Sequence, residues 1–192
     1  MGGVVAVDIT PFILAEVEKV FNLKAQHIVP VMDTYIGDLQ KDYTDEITYW
    51  KKVTHALGVS VPEKQMHTLW SESHTKHAHI NPEMVQLIHH LKKKYKIGLI
   101  TNTINSHYNY AIQQGWYDLF DVAIISNIVK HRKPEPEIYE LALTQLQVKP
   151  SEAVFIDDVK EFLEPAQKLG MHTIQFVSLE QLMQDLKKMK IA

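Results

Sequence analysis

Val154-Phe155-Ile156-Asp157-Asp158 is a short apolar run that ends in two adjacent carboxylates. Its length suits a buried strand of a parallel sheet, where both faces are covered and the residues are apolar throughout. Two carboxylates at the end of such a strand repel each other and lose hydration unless a cation or hydrogen bonds compensate. The pair reads either as a corner for a divalent metal, with hard oxygen ligands suited to Mg2+, or as a turn residue followed by a helix cap.

The flanking sequence repeats the same unit. Pro82 opens a helical period with Met84, Val85, Ile88 and Leu91 on one face, followed by a lysine run at 92–94 that reads as a solvated helix end. Ile97-Gly98-Leu99-Ile100 is a second strand-like run and ends in Thr101-Asn102-Thr103. A helix to Gln114 follows, closed by Gly115. Residues 122–125 predict a strand, 136–147 a helix and 153–156 the strand of the acid pair. Residues 161–169 predict a helix with Pro165 in its first turn, 173–177 a last strand, and Ser178 caps a helix carrying Leu179, Leu182, Met183 and Leu186. Alternating βα units predict an α/β fold with a doubly wound parallel sheet flanked by helices.

Residues 11–80 differ. Helical periods cover 12–21, 25–35, 44–57 and 62–73, with no strand among them. Four helices between a β-like N-terminal piece and the βα region suggest an inserted helical cap at 11–80 on a core made of 1–10 and 81–192. Tyr49, Trp50 and Trp70 fall at helical positions and read as cap core rather than as a stacking surface for substrate.

At 192 residues the chain fits one domain with a modest insertion. A formal net charge of -3 gives no broad positive field for a phosphate backbone, so nucleic acid is not expected as a partner. A compact anion needs only a local site. The absence of cysteine excludes disulfides, thiolate ligands and a cysteine nucleophile. No apolar run reaches membrane-spanning length and no signal-peptide pattern opens the chain, so no membrane association and a cytoplasmic location are expected.

Ligands of open parallel sheets bind outside the carboxyl ends of the strands. Those ends offer Thr101 and Asn102, then Lys133 ahead of a helix, then Asp157 and Asp158. A hydroxyl, an ammonium and two carboxylates are the parts that bind a phosphate and a metal. Taken singly, Thr101 reads as a turn hydroxyl and Lys133 as a solvated charge; their order along the chain favours the functional reading.

The constellation resembles the haloacid dehalogenase-like (HAD) hydrolase superfamily, and the resemblance runs over nearly the whole chain. Ile97-Gly98-Leu99-Ile100-Thr101-Asn102 is similar to the family's second motif, which implies that Thr101 hydrogen-bonds a transferring phosphoryl group. Lys133-Pro134-Glu135-Pro136 is similar to the third, implying that Lys133 neutralises nucleophile and phosphate. Val154-Phe155-Ile156-Asp157-Asp158 followed by Ala166, Leu169, Gly170 and Met171 is similar to the fourth, implying Asp157 and Asp158 as Mg2+ ligands. Phe162 stands where the family often has Asn or Asp.

The first motif, a hydrophobic strand ending in a nucleophilic Asp and continuing Asp-x-Gly-Gly-Val, aligns with Met1-Gly2-Gly3-Val4-Val5. This alignment puts Met1 on the x and the nucleophile, with its strand, ahead of residue 1. It implies Gly2 and Gly3 at the substrate, with the Gly2 backbone carbonyl on the metal. A second alignment makes 3–7 the strand and Asp8 the nucleophile; the Gly-Gly-Val-Val spelling favours the first, with Asp8 in the linker to the cap.

The resemblance implies a Mg2+-dependent phosphatase of a small phosphorylated metabolite acting through an aspartyl-phosphate intermediate. Asn102 is expected at the substrate. Dehalogenation is less well matched, since that chemistry needs no Mg2+. The alternative of another class is a catalytically inactive binding or regulatory module. His74, His77 and His79 offer possible ligands or an acid near neutral pH, but with 11 histidines in the chain clustering by chance is the simpler reading. Substrate identity and oligomeric state stay open at this stage.

Overall fold

The computed structural model describes residues 2–191. Met1, the x of the aligned first motif, lies outside the described residues. Four helices come first: α1 (Thr10–Phe21), α2 (Ala25–Gln40), α3 (Glu46–Leu57) and α4 (Glu63–His77). They bury a core of their own from Ile13, Val17 and Phe21 of α1, Ile28 and Leu39 of α2, Tyr49, Trp50 and Val53 of α3, and Met66 and Trp70 of α4. α2 runs a turn past the expected residue 35 and contains Gly37. A glycine there costs a helix about 1 kcal/mol relative to alanine, but Leu39, buried to 3% exposure, repays the extra turn.

The βα region follows with α5 (Pro82–Leu91), β1 (Gly98–Thr101), α6 (Asn105–Gln113), β2 (Val122–Ile125), α7 (Ser126–Val129), α8 (Pro136–Leu146), β3 (Val154–Asp157), α9 (Lys160–Lys168), β4 (His172–Gln175) and α10 (Leu179–Lys188). Asn81 caps α5 by accepting from the N–H groups of Glu83 and Met84 at 2.9 and 3.4 Å. Gly115, at φ 67°, follows α6 in a conformation that glycine adopts without steric cost.

The strands pair in parallel as two separate couples. Gly98 to Thr101 lie opposite Val122 to Ile125, and Val154 to Asp157 lie opposite His172 to Gln175. Among the described residues no strand pairs with the second edge of β1 or of β3. Helices hold the couples in one layer. α8 packs on β1 and β2 and touches α9, which packs on β3 and β4. On the other face, Met84, Leu87 and Ile88 of α5 and Leu182 and Leu186 of α10 form one cluster with Val5 and Ile174.

Several expected boundaries move. β1 and β3 each extend one residue further than expected, so Thr101 and Asp157 are the last residues of their strands. β4 stops at Gln175, because the Val177 N–H is taken by Gln181 Oε1 at 3.0 Å while the Gln181 N–H donates to Ser178 Oγ at 3.1 Å. Pro165 sits inside α9 and not in its first turn, since the helix starts at Lys160.

Residues 3–7 are not a strand of the sheet, although the second alignment expects one there. The Gly3 N–H turns back to the Ala6 carbonyl at 2.9 Å, with Gly3 at φ 84°. Ala6 then bridges antiparallel to Ile80, and Val7 and Val5 exchange backbone hydrogen bonds with His79 and Asn81. The segment is tied to the chain leaving α4. No helix among the described residues is long and apolar enough to cross a membrane.

Ser178→Ala removes the α10 cap and is expected to lower stability by about 1 kcal/mol, read as a lower urea midpoint with an unchanged m value.

Candidate functional site

Lys133 and Asp157 meet at the carboxyl end of the sheet. Lys133 Nζ lies 2.5 Å from Asp157 Oδ2, and both side chains are 6% exposed. The other carboxylate oxygen, Asp157 Oδ1, accepts the Val159 N–H at 3.0 Å. Phe162 and Phe155 turn their rings to the ammonium, with centroids 4.9 and 5.9 Å from Nζ. The phenyl ring at 162 thus gives cation–π support where a polar side chain was the family expectation.

Asn102 positions this lysine. Its Oδ1 accepts the Lys133 N–H at 2.8 Å and its Nδ2 donates to the Lys133 carbonyl at 2.9 Å. The amide is expected at the substrate from sequence; the structure places it on the Lys133 backbone. One side chain after β1 therefore fixes the loop that carries the ammonium to β3. Thr101, the last residue of β1, is 4% exposed, and its hydroxyl donates a long hydrogen bond of 3.4 Å to the Asn102 carbonyl.

Asp158 follows Asp157 and is half-buried. Burial pushes its carboxyl above the usual carboxylate range, and the charge of Asp157 adds to the shift. Gly3 lies against it: a Cβ there would collide with the Asp158 carboxylate. Gly2 lines the same cavity as Thr101, Asn102, Lys133, Asp157 and Asp158. Asp8 lines it too, but it is exposed, and its Oδ1 accepts the Thr10 N–H at 2.9 Å at the entry to α1. That is the linker position.

Asp157 and Asp158 offer hard carboxylate oxygens on the cavity that Gly2 also lines, and donors of that kind suit Mg2+. The close fit of Gly3 against Asp158 leaves the chain backbone beside the acid pair. The residues present therefore fit a hard divalent cation.

The cavity has a volume of about 460 Å3. Its floor is the strand-end cluster, and its other walls come from the helical layer, including Tyr49 and Trp70, and from α6, the turn at 116–117 and Arg132. These two are core residues as expected, at 0% and 6% exposure, and they also border the cavity, whereas Trp50 is wholly core. The three histidines near the end of α4 part company. His74 stacks on His107 at 3.7 Å, His77 on Phe12 at 4.2 Å, and His79 Nδ1 lies 2.8 Å from the His77 carbonyl. His107 and Arg132, both on the cavity wall, carried no motif signal; only the helical period of 105–114 and the adjacency of Arg132 to Lys133 pointed toward them.

Comparison with known proteins agrees with this geometry. A family model described as Haloacid dehalogenase-like hydrolase matches residues 7–176. The Bifunctional epoxide hydrolase 2 of Rattus norvegicus is 34% identical over 145 residues, 72% of this chain and 26% of that protein. The Phosphorylated carbohydrates phosphatase of Thermotoga maritima is 34% identical over 98 residues, 49% of this chain and 44% of that protein. The chain thus spans about a quarter of the rat relative and under half of the Thermotoga one. A HAD family enzyme from Bacteroides thetaiotaomicron, solved as a magnesium complex, shares the fold with a TM-score of 0.74 at 23% identity, covering 95% of this chain and 94% of that one.

Asn102→Ala removes both hydrogen bonds to Lys133 and is expected to cost about 1–3 kcal/mol, measured by urea denaturation. Asn102→Asp keeps the acceptor for the Lys133 N–H but sets a carboxylate oxygen against the Lys133 carbonyl, so no rescue is expected.

Proposed function

Because the chain belongs to the haloacid dehalogenase-like hydrolases, we propose that it is a Mg2+-dependent phosphatase of a small phosphorylated metabolite. The observation that carries this reading is the buried ammonium of Lys133, paired with Asp157 and carried on a backbone that Asn102 holds, at the floor of a cavity that Thr101 and Asp158 also line. A lysine at 5% exposure that opens onto a cavity is a fixed positive charge for an anion. The Phosphorylated carbohydrates phosphatase and Pyrophosphatase PpaX among the relatives act, by their names, on phosphorylated compounds, which supports the class.

In this reading Lys133 Nζ neutralises the phosphate oxygens and the Thr101 hydroxyl donates to the phosphoryl group, while Asp157 and Asp158, with the Gly2 carbonyl, hold the metal. Bound Mg2+ would supply further positive charge to stabilise the phosphate oxygens. A carboxylate oxygen forms a bond to phosphorus as the ester P–O bond breaks, and the alcohol leaves with a proton from water or substrate. Water then cleaves the aspartyl phosphate, releasing inorganic phosphate and restoring the carboxylate.

We place the nucleophilic carboxylate ahead of residue 1, on a strand that would enter the sheet between β1 and β3. Both strands have an unpaired edge among the described residues, and Gly2 and Gly3 sit at the acid pair where such a strand would end. Asp8 is a poorer candidate, because it lies off the sheet and its carboxylate is engaged with Thr10. Residues 11–80 act as a cap over a core of 1–10 and 81–192. Contacts between Asp42 and Lys130, 2.7 Å, and between Lys41 and Glu135, 2.9 Å, join the two across the rim. The cap excludes water and shapes the leaving-group end of the cavity.

The same unpaired edges favour the second reading, an inactive binding module, when no such strand is supplied. The two readings separate on the chain extended at its N-terminus by an apolar strand ending in Asp. The bare chain is expected to show negligible Mg2+-dependent turnover of p-nitrophenyl phosphate. The extended chain is expected to show turnover that disappears when the added Asp becomes Asn. No turnover from a folded, extended chain would favour the binding module, and activity of the bare chain abolished by Asp8→Asn would move the nucleophile to Asp8.

A further inference from the structure

Residues of α3, α4, α6 and the turn at Trp116–Leu119 make one part of the cavity lining, and it has a chemistry of its own. Tyr49, Trp70, His74, His107, Trp116 and Tyr117 line it. No Asp, Glu, Lys or Arg from those elements borders the cavity. His74 and His107 stack with ring centroids 3.7 Å apart and planes within 15°, and Trp70 meets His107 edge-on at 5.7 Å. Burial lowers the His74 imidazole to about 4 and His107 well below its ordinary value, so both rings are neutral at pH 7 and behave as flat aromatic surfaces.

Three polar atoms interrupt this wall, while Asp33, Gln40 and Arg132 line the cavity beside it. The Tyr49 hydroxyl, Trp70 Nε1 and His107 Nε2 are buried without a hydrogen-bond partner among the described residues. Buried polar groups are nearly always paired, and those left over in a cavity point to a ligand or solvent that completes them. A polyhydroxylated leaving group calls for a dense array of donors and acceptors. Isolated single-function atoms set between ring faces suit a flat body with a few polar atoms at its edge.

Resting on the phosphatase reading, we propose that the leaving group is a planar aromatic or heteroaromatic group, seated against the Trp70, His74 and His107 wall and hydrogen-bonding at its edge. The cavity, at about 460 Å3, holds a phosphate together with a group of one or two rings. The ring faces favour a flat leaving group, Asp33, Gln40 and Arg132 offer polar contacts at its edge, and the strand-end floor stays the same for any phosphate ester.

The test uses non-hydrolysable probes, so turnover is not needed. Methylphosphonate, benzylphosphonate and 2,3-dihydroxypropylphosphonate are titrated calorimetrically into the full chain with saturating Mg2+, with benzyl alcohol as a probe lacking the phosphonate. Benzylphosphonate is expected to bind about tenfold more tightly than the other two phosphonates, the scale of one or two well-placed aromatic contacts. His107→Leu and Trp116→Ala are each expected to cut the benzyl-over-methyl ratio about threefold; two variants guard against one that fails to fold. Equal binding of the three phosphonates, or preference for the dihydroxypropyl form, overturns the aromatic leaving group and leaves the phosphatase reading standing. Benzyl alcohol binding with no phosphonate preferred over it supports the aromatic wall while overturning the phosphate floor. Absence of binding by all four overturns both.

Discussion

The Lys133–Asp157 pair is the constraint on which the rest of the site depends. Taking two charges out of water costs several kcal/mol for each ion, and their attraction offsets this only when geometry is good and the remaining polar atoms are satisfied. Here the second Asp157 oxygen has the Val159 N–H, the Lys133 backbone has the Asn102 amide on both sides, and two phenyl rings face the ammonium. Removing one partner from such a pair typically costs about 3–5 kcal/mol, because the other charge stays buried alone. A pair of apolar side chains would give comparable stability without that exposure to loss, so the charges are better explained by what the cavity binds.

From this pair the arrangement spreads outward. The loop holding Lys133 also carries Lys130 and Glu135, which contact Asp42 and Lys41 after α2. Ser106 at the start of α6 donates its N–H to Glu46 of α3 at 3.2 Å. The loop that presents the ammonium is therefore also a place where the helical layer makes contact with the rest of the chain. On the opposite side the Gly3 turn packs against Asp158, bringing the first described residues to the acid pair although they pair with the 79–81 segment and not with the sheet.

Much of this was legible from residue order. Four apolar runs bounded by polar residues gave the strands to within about two residues, and the acid pair at 157–158 stood out because adjacent carboxylates after a buried run need compensation. Helix ends followed from Pro82, Gly115 and Ser178, because a fixed φ, the lack of a side chain and a capping hydroxyl act on the neighbouring backbone. The parts that escaped depend on long-range contacts. Asn102 touches a residue 31 positions away, and His107 finds His74 only when α6 packs on α4. The Gly3–Ala6 turn was hidden because Val4, Val5 and Val7 favour strand locally, whereas the Ala6 bridge to Ile80 and Gly3 at φ 84° dictate a reversal. Phe162 read as a loss of polar support until its ring was found 4.9 Å from the lysine.

The central claim is that one floor holds a phosphate and a divalent cation together. Binding of two ligands that neutralise each other must be coupled, and the coupling must be reciprocal. Calorimetric titration of inorganic phosphate into the chain, with and without Mg2+, tests this most directly. The account predicts phosphate affinity at least about tenfold higher in Mg2+, equivalent to about 1.4 kcal/mol of coupling, and the same gain in Mg2+ affinity when phosphate is present. Phosphate affinity unchanged by Mg2+, or phosphate binding that survives Lys133→Ala undiminished in a folded chain, would contradict it.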